Sequence, residues 1–234
     1  MAERGTWRDE THLESDPEYR EAVVDLLGVL AYAEITAFQR LAADVALAPT
    51  TADKAALGEM AVSEFGHFVR LRDRLSEMGV DPEVAMRPFA DALDQFHAQT
   101  SPSTYLESLV KAYVGDGIAC DFYREVAEFV DGRTRALVLD VLEDTGHADF
   151  AVEKVRAAIA ADPTVGGRLA LWARRLVGEA LSQAQRVAAQ RDALSSLIVG
   201  GVDQPGADLA ELGRVLARLT EAHSRRMSAM GLSA

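Results

Sequence analysis

The chain has 234 residues, of which 49% are hydrophobic, and it carries a formal net charge of −13. The hydrophobic content excludes an intrinsically disordered chain, and the acidic balance argues against a protein that holds nucleic acid mainly by its charge. The single cysteine, Cys120, excludes an intrachain disulfide and a cysteine-based zinc site.

The predicted elements are all helices, separated by breaks that contain proline or glycine. Residues 1–16 are polar and mixed in charge and are predicted to be a flexible tail, while residues 17–234 are predicted to form one helical domain. No apolar run has the length of a signal-peptide core or a membrane span, which predicts a cytoplasmic protein without a membrane partner. In chain order, helices are predicted at about 17–47, 51–78, 102–130, 133–162, 165–198 and 208–230.

The connections between these helices indicate the topology. Few residues separate the first helix from the second and the third from the fourth, so each pair is expected to form an antiparallel hairpin. Residues 79–102 separate the second helix from the third and carry only a short amphipathic piece. Two hairpins with one long crossover are typical of ferritin-like proteins. The sequence therefore predicts an all-α, ferritin-like four-helix bundle over about 17–162, with two additional helices over about 165–230.

Two short sequence motifs contain candidate metal ligands. Residues 64–67 read EFGH and residues 144–147 read DTGH, so each motif places a carboxylate three residues before a histidine. Residues i and i+3 share one face of a helix, which lets each motif direct one oxygen and one nitrogen ligand toward a common point. Two such helices, together with one inward carboxylate from each of two others, form the di-metal site of ferritin-like bundles.

Two further acids, Glu34 and Asp116, fall in register with the apolar stripes of the first and third helices. Buried carboxylates are costly without compensation, which two metal cations would provide. Carboxylate and imidazole ligands suit iron, with manganese as the alternative, and the lack of thiolates disfavours an iron–sulfur cluster. The predicted metal ligands are Glu34, Glu64, His67, Asp116, Asp144 and His147.

Several residues leave alternatives open. Asp121 is the rival of Asp116 on the third helix, and Glu179 is either a further ligand or a solvated helix residue. The shorter aspartates of the second half predict a second metal that binds more weakly or not at all. Three tyrosines are assigned either to the site or to core packing: Tyr32, Tyr113 and Tyr123. The remaining histidines are assigned surface or structural roles: His12, His97 and His223.

Four stretches carry a resemblance to a known family: AALGEMAVSEFGHFVRLRDRL, KAYVGDGIACDFYREVA, LVLDVLEDTGHADFAVEKVRAAI and GGRLALWARRLVGEALSQAQRV. Through them the chain resembles the actinobacterial ferritin-like proteins grouped with the tRNA hydroxylase of methylthio-isopentenyl-adenosine. The resemblance implies two iron ions, bridged by Glu64 and Asp144 and bound terminally by Glu34 and Asp116. It also implies oxygen-dependent hydroxylation of an unactivated carbon of a modified adenosine, with a separate electron donor. The net charge of −13 disfavours the tRNA itself as a partner.

Three functions compete at this point. The first is a non-haem di-iron oxygenase of the hydroxylase type, the second is iron oxidation or storage without organic chemistry, and the third is a metal-free binding or scaffolding protein. The apolar faces of the two C-terminal helices are expected either to close the bundle or to form a homodimer. Metal content separates the third function from the first two.

Overall fold

A computed structural model describes residues 15–143, 147–199 and 209–234. In these ranges all regular structure is helical, which confirms the predicted all-α fold. Most of the predicted tail, residues 1–14, lies outside the described residues, as do residues 144–146 and 200–208. The helices are α1 Pro17–Asp44, α2 Thr51–Glu77, α3 Pro82–Met86, α4 Ala90–Gln99, α5 Tyr105–Val110, α6 Asp116–Ala127, α7 Gly132–Val141, α8 His147–Ala161, α9 Thr164–Gln190, α10 Asp192–Val199 and α11 Leu209–Ala229.

Two of the predicted helices are interrupted in the structure. The helix predicted over 133–162 is wrong at Leu142, where the backbone leaves helical geometry (φ −88°, ψ 8°) after α7. The helix predicted over 165–198 is wrong at Arg191, whose extended backbone (φ −131°, ψ 83°) separates α9 from α10. The physical reason at Arg191 is tertiary, because its guanidinium binds the buried Asp25 of α1.

The long α1–α2 pair forms the antiparallel hairpin that the short connection predicts. Asp16 caps α1 by accepting the N–H groups of Glu18 and Tyr19, and Pro17 occupies the first helical position. At the far end of the hairpin, Arg20 donates to the carbonyl of Met78 at 2.6 Å. The antiparallel pairing brings the middle of α1 level with the middle of α2, where the predicted ligands lie.

The crossover between the two hairpins packs against α1 and contains two short helices, α3 and α4. Its closest approach is at Gly28, where a Cβ atom would lie 2.4 Å from the carbonyl oxygen of Ala85. Only glycine allows the backbones of α1 and α3 to come so close. The crossover thereby packs directly against the backbone of α1.

The apolar interior consists of two clusters. One is centred on α1, α6 and α7 and includes Leu27, Leu30 and Leu71, whereas the other includes Met60 and Val114 and involves α5, α8, α9 and α11. The four predicted ligands that the structure describes, Glu34, Glu64, His67 and Asp116, lie at the junction of the two clusters, between apolar residues on each helix. None of the described helices is both long and apolar enough to cross a membrane.

Candidate metal centre

The structure brings three of the predicted ligands together. Glu34 on α1 and the pair Glu64 and His67 on α2 each offer one ligand atom, and these atoms all lie within 4.8 Å of one another. His67 Nδ1 is 3.3 Å from Glu34 Oε2 and 3.7 Å from Glu64 Oε2. Two carboxylate oxygens and one imidazole nitrogen at these separations match a donor set that iron and manganese accept. The arrangement follows from the antiparallel hairpin and the i, i+3 spacing on α2.

The orientation of His67 is fixed from its other side. The hydroxyl oxygen of Ser63, one turn earlier on α2, lies 3.4 Å from His67 Nε2. A partner on the second ring nitrogen is the usual means by which a protein orients a metal-binding histidine. Nδ1 is therefore the nitrogen that faces the carboxylates.

The carboxylates of this cluster repel each other in the absence of a cation. Glu34 is only 8% exposed. Burial raises its pKa well above the usual range, and a hydrogen bond with Glu64 and the charges of Glu64 and Asp116 raise it further. The protonated form of Glu34 is therefore favoured when no cation is bound, and a cation would compete with that proton.

Asp116 lies beside this cluster, at the start of α6. It follows a π-helical turn, Lys111–Gly115, and π turns occur frequently at functional sites. Burial raises the pKa of Asp116 well above its usual range, the charge of Glu64 adds to this, and the charge of Lys111 opposes it. Asp116 is thus close enough to interact electrostatically with Glu64, although it is not one of the three residues that converge within 4.8 Å.

Asp121, the rival of Asp116, has cationic partners instead. It pairs with Arg226 of α11 and, at 3.4 Å, with Arg124 of α6. Gly117 permits the approach of Arg226, because a Cβ atom there would lie 2.5 Å from Arg226 Nε. These ion pairs favour Asp116 over Asp121 as the ligand on α6.

The second half of the predicted site remains a prediction. Asp144 lies outside the described residues, and α8 begins at His147, whose side chain is likewise not described. The structure therefore places four of the six predicted residues, Glu34, Glu64, His67 and Asp116, and three of these converge.

The sequence leaves the roles of Tyr32, Tyr123 and Glu179 open, and the structure shows the surroundings of each. Tyr32 donates to Asp94 at 3.0 Å, and burial is the main reason that its pKa rises to about 12. Tyr123 is nearer, since burial and then the charges of Cys120 and Glu34 raise its pKa. Glu179 is half-buried on α9.

Cys120 is a neighbour of the centre that the sequence reasoning missed. Burial raises the pKa of its thiol, and the charges of Asp116, Glu34 and Glu64 act in the same direction. The signal was present, because Cys120 follows Asp116 by four residues and so shares its helix face. The thiol stays protonated beside the carboxylates.

The metal-free protein should gain stability at alkaline pH when Glu34 is replaced by glutamine. The raised pKa means that folded Glu34 keeps its proton at a pH where the unfolded chain has lost it. The stability that this proton supports is present in acid and is lost as the pH rises through the folded pKa. We expect Glu34→Gln to raise the free energy of unfolding at about pH 8 but not at about pH 5, as measured by urea denaturation.

The exposed Glu59→Gln on α2 is the matched control and should show no such difference. An equal effect of Glu34→Gln at both pH values would contradict the buried, protonated state of Glu34.

Comparison with known proteins places the chain in a family. A family model described as a ferritin-like domain of actinomycetes matches residues 17–201. The chain is also similar to a solved structure, "Protein 19 with aldehyde deformylating oxidase activity from Synechococcus", with 21% identity, a TM-score of 0.67 and 94% of each chain covered. No curated protein matches the sequence. The ferritin-like fold predicted from the sequence is thus confirmed, and the chain belongs to the ferritin-like domain family of actinomycetes.

Proposed function

We propose that this protein is a non-haem di-iron enzyme that uses dioxygen to oxidise an organic substrate. The convergence of Glu34, Glu64 and His67 carries the proposal, because a buried acid beside a partly buried acid and an imidazole at these distances matches a cation site. The ferritin-like fold supports it, since this fold builds di-metal sites from facing helices. A structure with that fold, the Synechococcus protein, is described as having aldehyde deformylating oxidase activity.

Each predicted ligand has a role in this proposal. Glu34, Glu64 and His67 would hold one metal ion, and Asp116, Asp144 and His147 would hold the second. Two iron ions, when bound, would supply part of the electrons that reduce dioxygen, and the substrate and a separate electron donor would supply the rest. The chain supplies the geometry: Ser63 orients the imidazole of His67, and Glu34 releases its proton as the cation binds.

The surroundings of the cluster favour an apolar substrate group. Phe65, between Glu64 and His67 in the sequence, is 42% exposed, and its ring centroid is 5.3 Å from that of Phe38. Val62, one turn earlier on α2, is 70% exposed. These side chains give the solvent side of α2 an apolar character next to the ligands. An alkyl or isopentenyl group suits such a surface better than a phosphate does.

Two substrate classes follow from these observations. The first is an aldehyde, as the description of the Synechococcus protein suggests. The second is an isopentenyl-modified adenosine, as the resemblance to the tRNA hydroxylase implies. The net charge of −13 favours the free nucleoside over an intact tRNA.

Anaerobic reconstitution with iron(II) tests the proposal. We expect about two iron ions per chain and dioxygen consumption on exposure to air with a chemical reductant. Mass spectrometry then detects oxidised product from an alkyl aldehyde and from isopentenyl adenosine offered in parallel. The same chain loaded with redox-inert zinc is the control and should give no product.

The other hypotheses predict different outcomes of the same experiment. Dioxygen consumption with iron turnover but no organic product would indicate an iron-oxidising protein. Failure to retain iron would indicate a metal-free binding or scaffolding protein and would end the proposal.

A further inference from the structure

A small cavity whose lining includes several polar side chains adjoins Asp116 on the side of α1 and α4. Its volume is about 20 Å³, and its lining includes Asp44, His97, Lys111 and Asp116. One water molecule needs roughly 10–15 Å³ of such space and two to four polar partners. The cavity thus has the size and the chemistry to hold one water molecule.

His97 presents a buried acceptor with no partner. His97 is 6% exposed, and its Nε2 lies 3.2 Å from the hydroxyl oxygen of Thr36. That hydroxyl lies within hydrogen-bond distance of two backbone carbonyls, those of Tyr32 at 2.8 Å and Ala33 at 3.0 Å, and when it donates its single proton to either of them His97 Nε2 is the donor. Nδ1 is then an unprotonated acceptor, and it has no hydrogen-bond partner within the described part of the protein.

Nδ1 of His97 does not gain a proton at neutral pH. Burial, followed by the charges of Lys111 and Arg40, lowers the pKa of His97 to about 3. The imidazole is therefore neutral at neutral pH. A buried acceptor in this state needs a donor, and a water molecule is the donor that fits the adjoining cavity.

Lys111 supplies a cation on the same cavity. The ammonium group is buried, donates to the carbonyl of Thr100 at 2.9 Å and lies 5.4 Å from the ring centroid of Phe96. An ammonium has three N–H donors, which leaves two after the bond to Thr100. The π-helical turn with its i to i+5 spacing places Lys111 and Asp116 on one face, and both line the cavity.

We propose that this cavity binds one internal water molecule that accepts a hydrogen bond from Lys111 and donates to His97 Nδ1 and to the carboxylate of Asp116. The acidic groups that face it are Asp116 and Asp44, and the cationic groups are Lys111 and Arg40. Lys111 and its water act as positioning groups that hold the Asp116 carboxylate in one orientation. The role of Asp116 as a ligand rests on the proposed function, whereas the hydration site does not.

Nuclear magnetic resonance tests the hydration site without metal. The chain has five histidines, so their ring nitrogens can be resolved after ¹⁵N labelling. We expect His97 to be neutral and protonated at Nε2, and its ring protons to show cross-relaxation with a long-lived bound water. Protonation at Nδ1, or the absence of the water signal in the wild-type protein, would overturn the proposal.

A variant that fills the cavity tests the positioning role. Ala37 of α1 lines the cavity, and Ala37→Val should displace the water and abolish its signal. Loss of a group that orients a metal ligand weakens metal affinity by about 10-fold or more. We therefore expect Ala37→Val to weaken Mn²⁺ binding, measured by calorimetry, by about 10-fold or more. The matched control is Ala42→Val, an exposed position on the same helix, which should leave both readouts unchanged.

The two measurements separate the possible failures. Unchanged Mn²⁺ affinity in an Ala37→Val variant that has lost the water would refute the positioning role of the bound water. A wild-type chain that binds no Mn²⁺ would refute that role together with the di-metal centre, while the resonance experiment decides the hydration site independently.

Discussion

Replacing Glu64 with glutamine should abolish stoichiometric metal binding. Glu64 lies within ligand distance of both Glu34 and His67 and also acts electrostatically on Asp116, so it contacts every described part of the centre. Glutamine keeps the shape of the side chain but removes its negative charge. Changes in residues that merely orient ligands cost 10- to 100-fold in metal affinity, so loss of a charged ligand should cost about 100-fold or more.

Calorimetry with Mn²⁺ and elemental analysis after iron(II) reconstitution measure this effect. Glu59→Gln, on the exposed face of the same helix, removes an equal charge and should keep the wild-type metal content. His67→Gln should reproduce the loss, because it removes the nitrogen that faces both carboxylates. A Glu64→Gln variant that retains about two metal ions per chain would contradict the site.

The sequence predicted the first half of the site because its determinants are local. An i, i+3 pair on α2 needs only helical geometry, and the short link between α1 and α2 brings Glu34 level with it. The apolar stripes of both helices are regular enough to give the correct faces. Fold class and the Glu34, Glu64 and His67 cluster could therefore be read from one chain without knowledge of its tertiary contacts.

The sequence favours Asp116 over Asp121, but the contacts that separate these two residues are not local. They depend on Arg226, which lies 105 residues further along the chain and pairs with Asp121 across Gly117. The π-helical turn before Asp116 also changes which residues share a face, and an α-helical periodicity does not anticipate that change. Long-range ion pairs and local departures from α-helical geometry are thus the features that could not be predicted from the sequence alone.

His97 and Lys111 illustrate the same limit. His97 was assigned a surface or structural role, and the structure shows it buried and hydrogen-bonded to Thr36. Its neighbour Lys111 is 14 residues further along the chain and looks like an ordinary helix lysine in the sequence. Their shared cavity exists only because the crossover folds back onto α1.

Replacing Arg191 with methionine should destabilise the fold strongly. Arg191 interrupts the predicted helix between α9 and α10, and its Nε and Nη2 bind the two carboxylate oxygens of Asp25 at 2.8 and 2.5 Å. Asp25 is 3% exposed, and burial raises its pKa even with the arginine present. Removing one partner of a buried pair leaves an uncompensated group, so we expect a loss of about 3 kcal/mol in the free energy of unfolding.

Urea denaturation of the metal-free chain measures this loss, and two further variants define its origin. Glu21 also pairs with Arg191, at 3.5 Å, but is exposed, so Glu21→Gln should cost less than about 1 kcal/mol. The double variant Asp25→Leu with Arg191→Met replaces both charges by apolar groups and should recover much of the stability. A loss below about 1 kcal/mol in Arg191→Met would show that the buried pair does not stabilise the junction of α1 with α9 and α10.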